Sequence, residues 1–383
     1  MARKMTSTLR SWGMALSVWA VLPLCCLRAN AQLVQKAELY NNICVKPGGT
    51  MPVDAKGWRK GDRVTFTPVD NRGKEFTAKL RLETDSTAQI RLPRQLSETA
   101  YKVSLQRGKI RQDLGKTYLK VPEKMPKGSP VVAHRAVWRA PGSAQNSRAS
   151  VKRAIELGIH ACEIDIWQTT DGRLVVNHDA TLNGVMLQNS TYDEVKDLRL
   201  PNGETIPLLS ELLDMVKAGD VAMNFFIEIK RHRTEEKNRS VVEAVVKMIQ
   251  DYHLQSKTSF ISFGFSICEH LSQLLPECPA FYIEHLTRDL SQPNQPMVEG
   301  AGIVDFEKVK KARIPGMSIN PNMLFVRHPE WMQKAHSQGL KVNCCVVDGA
   351  KGLIRAMNEG AEFVTTNTPE TAQRLFLHYR RNQ

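Results

Sequence analysis

An alternation of apolar and polar residues is the first regular pattern in the chain after its N-terminal segment. Short alternating runs recur, and Gly, Pro, Asn and Asp lie between them. A period of two residues places alternate side chains on opposite faces of a strand, and breakers at this spacing are typical of a small antiparallel sandwich. Residues 32–122 are therefore predicted to form a small all-β, sandwich-like accessory domain. The alternating runs are residues 63–67, 78–82, 88–92, 101–105 and 117–121.

After a stretch rich in Pro and Lys (residues 123–130), which predicts a linker, the pattern changes. Short β-branched apolar runs alternate with helical stretches from residue 131 to residue 383. The predicted strands include residues 225–229, and the predicted helices include residues 208–217 and 241–252. Such alternation over roughly 250 residues indicates a parallel α/β fold of the size of a (β/α)₈ TIM-type barrel. Nine strand candidates are present, one more than the barrel needs, so one is expected to be extra. A doubly wound sheet is the alternative, but the chain has no GxGxxG turn to support it.

The N-terminal segment, residues 1–31, resembles a secretory signal peptide. Basic residues precede an apolar run from Trp12 to Cys26, and Ala29-Asn30-Ala31 supplies the small-x-small cleavage pattern. We expect cleavage before Gln32, export to the periplasm or the extracellular space, and no transmembrane segment in the mature chain. An uncleaved membrane anchor is the alternative, although the apolar run is short for a membrane span.

Charge and cysteine content exclude few classes of binding partner. The formal net charge is +14, and four basic residues with no acid lie in residues 1–31, so the mature chain carries +10. This excess favours anionic partners. The Lys and Arg residues look scattered, without a basic run interleaved with aromatic residues, so nucleic acid is not expected as a partner. Cys268 and Cys278 are the nearest plausible disulfide pair, but no spacing fixes a pairing or indicates a zinc site.

Ionisable residues gather near the ends of the first strand candidates of the barrel. His134-Arg135 follows the first, Glu163 and Asp165 lie two apart in the second, His178-Asp179 closes the third, and Glu228 and Lys230 lie two apart in the fourth. Residues i and i+2 of a strand share a face, and the carboxyl ends of barrel strands meet at one mouth. A catalytic cluster is therefore predicted there. A structural network of buried ion pairs is the alternative. Asp179 is interpreted as a turn former, and orientation of His178 is its alternative role.

These residue types suit cleavage of a phosphodiester. Glu163, Asp165 and Glu228 are hard oxygen donors that favour Ca²⁺ or Mg²⁺, although Zn²⁺ is not excluded. Arg135 and Lys230 are cations suited to phosphate oxygens. His134 and His178 titrate near neutral pH, so one can activate the nucleophile and the other can protonate the departing alkoxide.

From residue 131 onward the chain resembles the glycerophosphodiester phosphodiesterase family. The motifs AHRAVWRAPGSAQNS from Ala133, EIDIWQTTDGRLVVNHDATL from Glu163, FFIEIK from Phe225 and GAEFVTTNTPE from Gly360 occur in the family's order. The resemblance implies a barrel that uses a divalent metal ion to release glycerol 3-phosphate and an alcohol from a small glycerophosphodiester. It also implies that His134 and His178 are the catalytic histidines, that Glu163, Asp165 and Glu228 bind the metal, and that Arg135 and Lys230 contact phosphate.

The sequence departs from the family pattern at several positions. Ala136 replaces a Gly, so a positive φ there would be strained. Gln145 replaces a Glu, Asn367 replaces an Asp, and the segment after Asp179 is rewritten around Asn183-Gly184. These departures affect the choice of headgroup more than the acid–base and metal set.

Two other functions remain open. One is a phospholipase, acting on lysophospholipids or phosphoinositides with the same barrel cluster. The other is a non-catalytic protein that binds phosphate or glycan. The second is disfavoured because no histidine or acidic ligand of the set is missing.

Overall fold

The computed structural model describes residues 32–40, 43–84, 86–121, 130–217, 221–283 and 305–381. The predicted signal peptide and almost all of the predicted linker lie outside these residues. Within them the chain forms an N-terminal β domain and a C-terminal α/β barrel, as the sequence pattern predicted. In the described ranges, no helix has the length and apolar character needed to cross a membrane.

The β domain is one curled sheet of eight strands in the order β1-β3-β6-β5-β4-β7-β8-β2. Neighbouring strands are antiparallel, except that β2 runs parallel to β8. The curl encloses a core of alternating inward side chains such as Val64, Phe66 and Val103, all at most 1% exposed. The strands are β1 (Gln35–Glu38), β2 (Ile43–Cys44), β3 (Thr50–Lys56), β4 (Arg63–Pro68), β5 (Phe76–Leu82), β6 (Thr87–Arg91), β7 (Thr99–Arg107) and β8 (Ile110–Lys120).

The second sheet closes into a barrel. Eight of its described strands are parallel, and the last, β19, pairs with the first, β9. The strands of this part of the chain are β9 (Val131–Ala133), β10 (Ala161–Gln168), β11 (Leu174–Val176), β12 (Thr181–Leu182), β13 (Val185–Met186), β14 (Asn224–Ile229), β15 (Thr258–Ser262), β16 (Ala280–Ile283), β17 (Gly316–Ile319), β18 (Lys341–Cys345) and β19 (Phe363–Thr366).

Helices connect the barrel strands on the outside. Their ends follow local capping chemistry: the Thr234 hydroxyl accepts a hydrogen bond from the Lys237 N–H at the start of the longest helix, and His253 ends it in the left-handed conformation. The helices are α1 (Arg148–Glu156), α2 (Tyr192–Val195), α3 (Leu209–Lys217), α4 (Glu235–Tyr252), α5 (Phe265–Leu274), α6 (Phe306–Lys311), α7 (Trp331–Ser337), α8 (Ala350–Asn358) and α9 (Pro369–Arg381).

The extra strand among the nine candidates is β11. It pairs antiparallel with β10, with Ile166 opposite Val176 and Gln168 opposite Leu174, and it takes no part in barrel closure. The sequence interpretation of His178 as the end of a barrel strand is therefore wrong. β10 continues past the barrel, β11 returns beside it, and His178 reaches the mouth from this hairpin.

An apolar plug fills the amino-terminal end of the barrel. The rings of Phe226, Phe281 and Phe363 contact one another, with centroids 5.0–5.7 Å apart, and Val132 and Ile261 pack against them. Gly316 leaves the room that this packing needs, because a Cβ there would lie 2.5 Å from the Phe281 ring. Polar side chains can therefore occupy only the opposite end of the barrel interior.

The two domains contact each other through β2, β3, α8 and α9. The Arg374 guanidinium on α9 donates to the Asp54 carboxylate on β3, and Asp54 also accepts a hydrogen bond from the Tyr40 hydroxyl. The carboxylate oxygen Oε2 of Glu83 lies 3.7 Å from Nη1 of Arg374. The charge of Arg374, which is partly removed from water, is thus compensated across the domain contact.

The cysteines whose side chains the structure describes do not form disulfides. Cys268 lies 3.7 Å from the Ser262 and Phe281 carbonyl oxygens, whereas Cys278 lies 3.2 Å from the Gln255 carbonyl oxygen. The pair suggested by spacing is therefore not bonded.

Candidate active site

Three carboxylates meet inside the mouth of the barrel. Glu163 and Asp165 share the inner face of β10, and Glu228 lies on the neighbouring β14, where Asp165 and Glu228 are paired in register. Oxygen atoms of the three side chains lie within 4.8 Å of one another, and all three residues are buried. The i, i+2 spacing and the parallel register bring these residues together as the sequence predicted.

The Lys230 ammonium lies against this cluster. Its Nζ is 2.6 Å from Asp165 Oδ1 and 2.6 Å from Glu228 Oε1. Burial alone would lower the pKa of Lys230, but the two carboxylates raise it overall, so the side chain remains a cation. Burial raises the pKa of Asp165, yet Lys230, His178 and Asn146 together lower it to about 2.

When ionised, the three carboxylates carry two more negative charges than the Lys230 ammonium balances. Burial and the neighbouring carboxylates raise the pKa of Glu163 well above its ordinary value, and burial raises the pKa of Glu228 to about 7. Glu163 Oε1 is buried without a hydrogen-bond partner. Buried anionic oxygens without a partner are costly, so three hard oxygen donors beside one ammonium fit a divalent cation such as Ca²⁺ or Mg²⁺.

Arg135 lies on a tight turn after β9. Arg135 and Ala136 have φ angles of 52° and 61°, so the strain expected for Ala in place of Gly is present. The turn directs the Arg135 N–H to Glu163 Oε2 at 2.6 Å. The guanidinium donates to Gln145 Oε1 at 2.7 Å, so the residue that replaces the family's Glu orients Arg135.

His134 is held from behind by an amide. Asn367 Nδ2 donates to Asp348 Oδ2 at 3.0 Å, which turns Asn367 Oδ1 toward His134 Nδ1 at 2.8 Å. The same oxygen accepts a hydrogen bond from Trp138 Nε1 at 3.0 Å. Because an amide oxygen only accepts, the hydrogen-bond network assigns the proton to Nδ1 of His134 and leaves Nε2 free. Burial lowers the pKa of His134 to about 4, against the opposing effects of Asn367 and Asp165.

His178 is held in the same manner by a carboxylate. Its Nδ1 lies 2.7 Å from Asp179 Oδ1, so Asp179 orients the imidazole. Of the two roles that the sequence offered for Asp179, the structure therefore shows the orientation of His178, which the sequence analysis had favoured less than a turn. Burial and the charge of Lys230 lower the pKa of His178, and Asp165 and Asp179 oppose this shift.

Three residues that support the site were missed in the sequence. Asn146 donates to Asp165 Oδ2 at 2.8 Å and accepts from the Asp165 N–H at 3.1 Å. The backbone N–H of Gln168 donates to His232 Nε2 at 3.1 Å, and His232 Nδ1 lies 2.9 Å from the backbone carbonyl oxygen of Lys230. Asp348 was the third. These three residues lie outside the barrel strands, so the spacing that revealed the charged pairs could not reveal them. They come close to the site only when the barrel closes.

The rewritten segment after Asp179 forms a β-hairpin. β12 pairs with β13 through Asn183 and Gly184, whose φ angles of 50° and 84° are those of an Asn-Gly type I′ turn. The hairpin belongs to a cluster of apolar side chains around Trp167 and Leu187. Trp167 therefore packs, whereas Trp138 belongs to the network behind His134.

Comparison with known proteins agrees with this geometry. Residues 134–371 match the model of the "Glycerophosphoryl diester phosphodiesterase family". The chain is 27% identical over 253 residues to a glycerophosphodiester phosphodiesterase from Caldanaerobacter subterraneus, covering 63% of this chain and 95% of the relative.

Solved structures show the same barrel. A glycerophosphodiester phosphodiesterase from Parabacteroides distasonis superposes with a TM-score of 0.59 at 31% identity, covering 67% of this chain and all of that one. A phosphodiesterase from Oleispira antarctica, solved with its product sn-glycerol-3-phosphate, superposes with a TM-score of 0.52 at 21% identity, covering 65% of this chain and 96% of that one. The family resemblance in the sequence is confirmed, and the chain belongs to the glycerophosphoryl diester phosphodiesterase family.

Proposed function

We propose that this protein is an exported, metal-dependent phosphodiesterase that hydrolyses glycerophosphodiesters to glycerol 3-phosphate and an alcohol by general acid–base catalysis with His134 and His178. One observation carries the proposal. Two imidazoles, each with Nδ1 held by a protein acceptor and Nε2 left free, accompany a buried cluster of three carboxylates and one ammonium. Such a set provides proton transfer and charge stabilisation at one place.

The phosphate group would be held by the two cations of the site. Arg135 offers a planar guanidinium fixed by Gln145, and Lys230 offers a point charge between Asp165 and Glu228. Both would stabilise the negative charge that grows on the phosphoryl oxygens in the transition state. Glu163, Asp165 and Glu228 would hold the metal ion, which supplies Lewis-acid stabilisation of that charge when bound.

The two histidines differ in a way that assigns their roles. The pKa of His134 is lowered to about 4, so its free Nε2 is unprotonated at neutral pH and can accept the proton of the attacking hydroxyl group. Burial also lowers the pKa of His178, but the Asp179 carboxylate beside it opposes this shift and stabilises the protonated imidazole, whereas His134 contacts an uncharged amide. His178 would therefore donate its Nε2 proton to the departing alkoxide.

The phospholipase alternative would need a wide apolar surface at the mouth. In the described part of the barrel, Val326 is a large apolar side chain that is 69% exposed in the segment after β17, whereas the exposed Leu274 and Leu377 lie on helices α5 and α9. One exposed valine favours a small, water-soluble diester over a lipid with an acyl chain.

The proposal is tested with purified protein beginning at Gln32. Glycerol 3-phosphate release from glycerophosphocholine and glycerophosphoethanolamine is measured with a chelator, then with Ca²⁺, Mg²⁺ or Zn²⁺ restored. Metal-restored release is expected, and His134→Ala and His178→Ala should each reduce it by about 10²- to 10⁴-fold. Full activity in either variant would remove that histidine from the mechanism.

Export is tested separately by expressing the full chain and sequencing the N-terminus of the processed protein. We expect it to begin at Gln32, because the apolar run and Ala29-Asn30-Ala31 form a cleavable signal. Recovery of an intact N-terminus in the membrane fraction would instead support an anchor.

A further inference from the structure

The positive charge of the mature chain lies almost entirely in the β domain. Residues 32–121 contain eighteen Lys and Arg against nine Asp and Glu, whereas residues 131–383 contain twenty-nine of each. The charges therefore look scattered along the sequence but are divided between the domains. An excess of this size on about 90 residues creates a local positive potential that a neutral barrel does not offset.

The register of the curled sheet places much of this excess on one face. On β4, β5 and β7 the buried side chains alternate with exposed ones, so the exposed cations share the outer face. Arg63 lies directly opposite Lys79 on one neighbouring strand, and Lys102 lies directly opposite Lys116 on another. The basic face consists of Arg63, Lys79, Arg81, Lys102, Arg111 and Lys116, all of them exposed.

These cations form no ion pair within the described part of the chain. None of the six takes part in a described ion pair, and Arg111 donates only to the Ser104 hydroxyl at 2.9 Å. The acids nearby are engaged with uncharged groups: Glu75 accepts from the Thr67 hydroxyl and Asp113 accepts from the Gly115 N–H. Like charges directly opposite on neighbouring strands repel each other and destabilise a sheet. A bound polyanion would reduce this repulsion.

The basic face is also free of the barrel. The main contacts with the barrel come from β2 and β3, whereas β4, β5 and β7 lie in the middle of the strand order. The aromatic rings of this region, Phe66 and Phe76, stack on each other at 4.7 Å and pack with the domain core. They cannot serve as the stacking platform that single-stranded nucleic acid requires.

We propose that the basic face of the β domain binds a membrane surface rich in anionic phospholipid. A sheet face that presents cations across several strands matches a planar array of headgroup phosphates better than it matches a narrow polymer. Attraction to anionic lipid adds up over such cations and fades within a Debye length. Binding through this face does not require the catalytic site, so it stands or fails independently of the proposed reaction.

The test is co-sedimentation of the chain from Gln32 with vesicles of phosphatidylcholine alone or mixed with phosphatidylglycerol. We expect binding only to the mixed vesicles, weakened by added salt. The variant Arg63→Gln/Lys79→Gln/Lys102→Gln/Lys116→Gln should lose affinity by roughly 10²- to 10³-fold, since each cation near an anionic surface contributes on the order of fivefold.

The matched control removes the same number of exposed charges from the barrel: Lys152→Gln/Lys311→Gln/Lys341→Gln/Lys351→Gln. It should keep vesicle binding within a few fold. Equal loss in both variants would overturn the proposal, as would equal binding to neutral vesicles or preference for single-stranded DNA over vesicles at the same salt. Hydrolysis of soluble glycerophosphocholine, measured in parallel, should not differ between the two variants and reports on the proposed reaction alone.

Discussion

Replacement of Asn367 by Leu tests how the site holds His134. Asn367 Oδ1 accepts from two donors, His134 Nδ1 and Trp138 Nε1, and Leu has the volume but not the acceptor. An N–H left without a partner in a buried place costs about 1–3 kcal/mol. If that cost falls on the Nδ1-protonated tautomer, kcat should fall by roughly 5-fold to 150-fold, because less of His134 then presents a free Nε2.

The pH profile provides a second readout with a defined sign. The hydrogen bond that His134 Nδ1 donates to Asn367 raises the pKa of His134, so its removal should move the acid limb of kcat/KM to lower pH. KM should change little, because Asn367 contacts His134 on the side away from its free nitrogen. The assay is glycerol 3-phosphate release between about pH 3 and pH 8 at saturating and limiting substrate, a range that includes both the lowered pKa of His134, about 4, and the ordinary pKa of histidine.

Asn224→Leu is the matched control, because it removes a comparable Asn–His contact at the opposite end of the barrel. Asn224 Nδ2 lies 3.3 Å from His160 Nε2, at the start of β14. This variant should retain kcat and its pH profile. The reasoning fails if Asn367→Leu keeps kcat within twofold of the native value, or if Asn224→Leu loses as much.

Three further predictions concern the proposed metal site, the titration of His134 and the contact between the two domains. Glu163→Gln removes one of the three carboxylates proposed to hold the metal ion, so titration calorimetry should show at least about 10-fold weaker Ca²⁺ or Mg²⁺ binding, and an unchanged affinity would contradict the proposed metal site. The pKa of His134 is about 4 in the folded chain and near 6.5 in the unfolded chain. Since the unfolded chain takes up this proton first, the contribution of His134 to the free energy of unfolding of the metal-free protein should fall by about 3 kcal/mol as pH decreases through that window. Urea unfolding of His134→Gln should lack this part of the decrease, and an identical pH slope in both chains would refute the assignment. Asp54→Ala removes the carboxylate to which the Arg374 guanidinium donates at the domain contact. Calorimetry should therefore show that the free energy of unfolding falls by about 1–3 kcal/mol. An unchanged unfolding transition would show that this contact does not stabilise the protein.

The sequence predicted the barrel because its signals are local. Period-two runs and amphipathic helices define most elements to within a few residues: the helix predicted over 208–217 is observed as Leu209–Lys217, and the strand predicted over 225–229 as Asn224–Ile229. The start of α4 was placed six residues late, at Val241 instead of Glu235, because its first turns are polar and their signal is the Thr234 cap.

The direction of β11 could not be predicted in the same way. A three-residue apolar run carries no information on whether its partner is parallel or antiparallel. The contacts of Asn367 with Asp348 and of His232 with Gln168 join residues 19 and 64 positions apart. Such pairs form only when the barrel closes. The sequence therefore predicted the acidic, basic and histidine residues of the site, but it did not predict the residues that orient them.

The hairpin of β10 and β11 separates two parts of the site by their local stability. Glu163, Asp165 and Glu228 stand on strands locked into the closed barrel, whereas His178 depends on a ladder of three residue pairs outside it. Short ladders open at a lower free-energy cost than a closed sheet, and amide hydrogen exchange detects such local opening. The protein would then pass through a state in which the three carboxylates proposed to bind the metal ion are still in place but the His178 imidazole has left the mouth of the barrel. In mild denaturant, turnover should therefore disappear before the metal does.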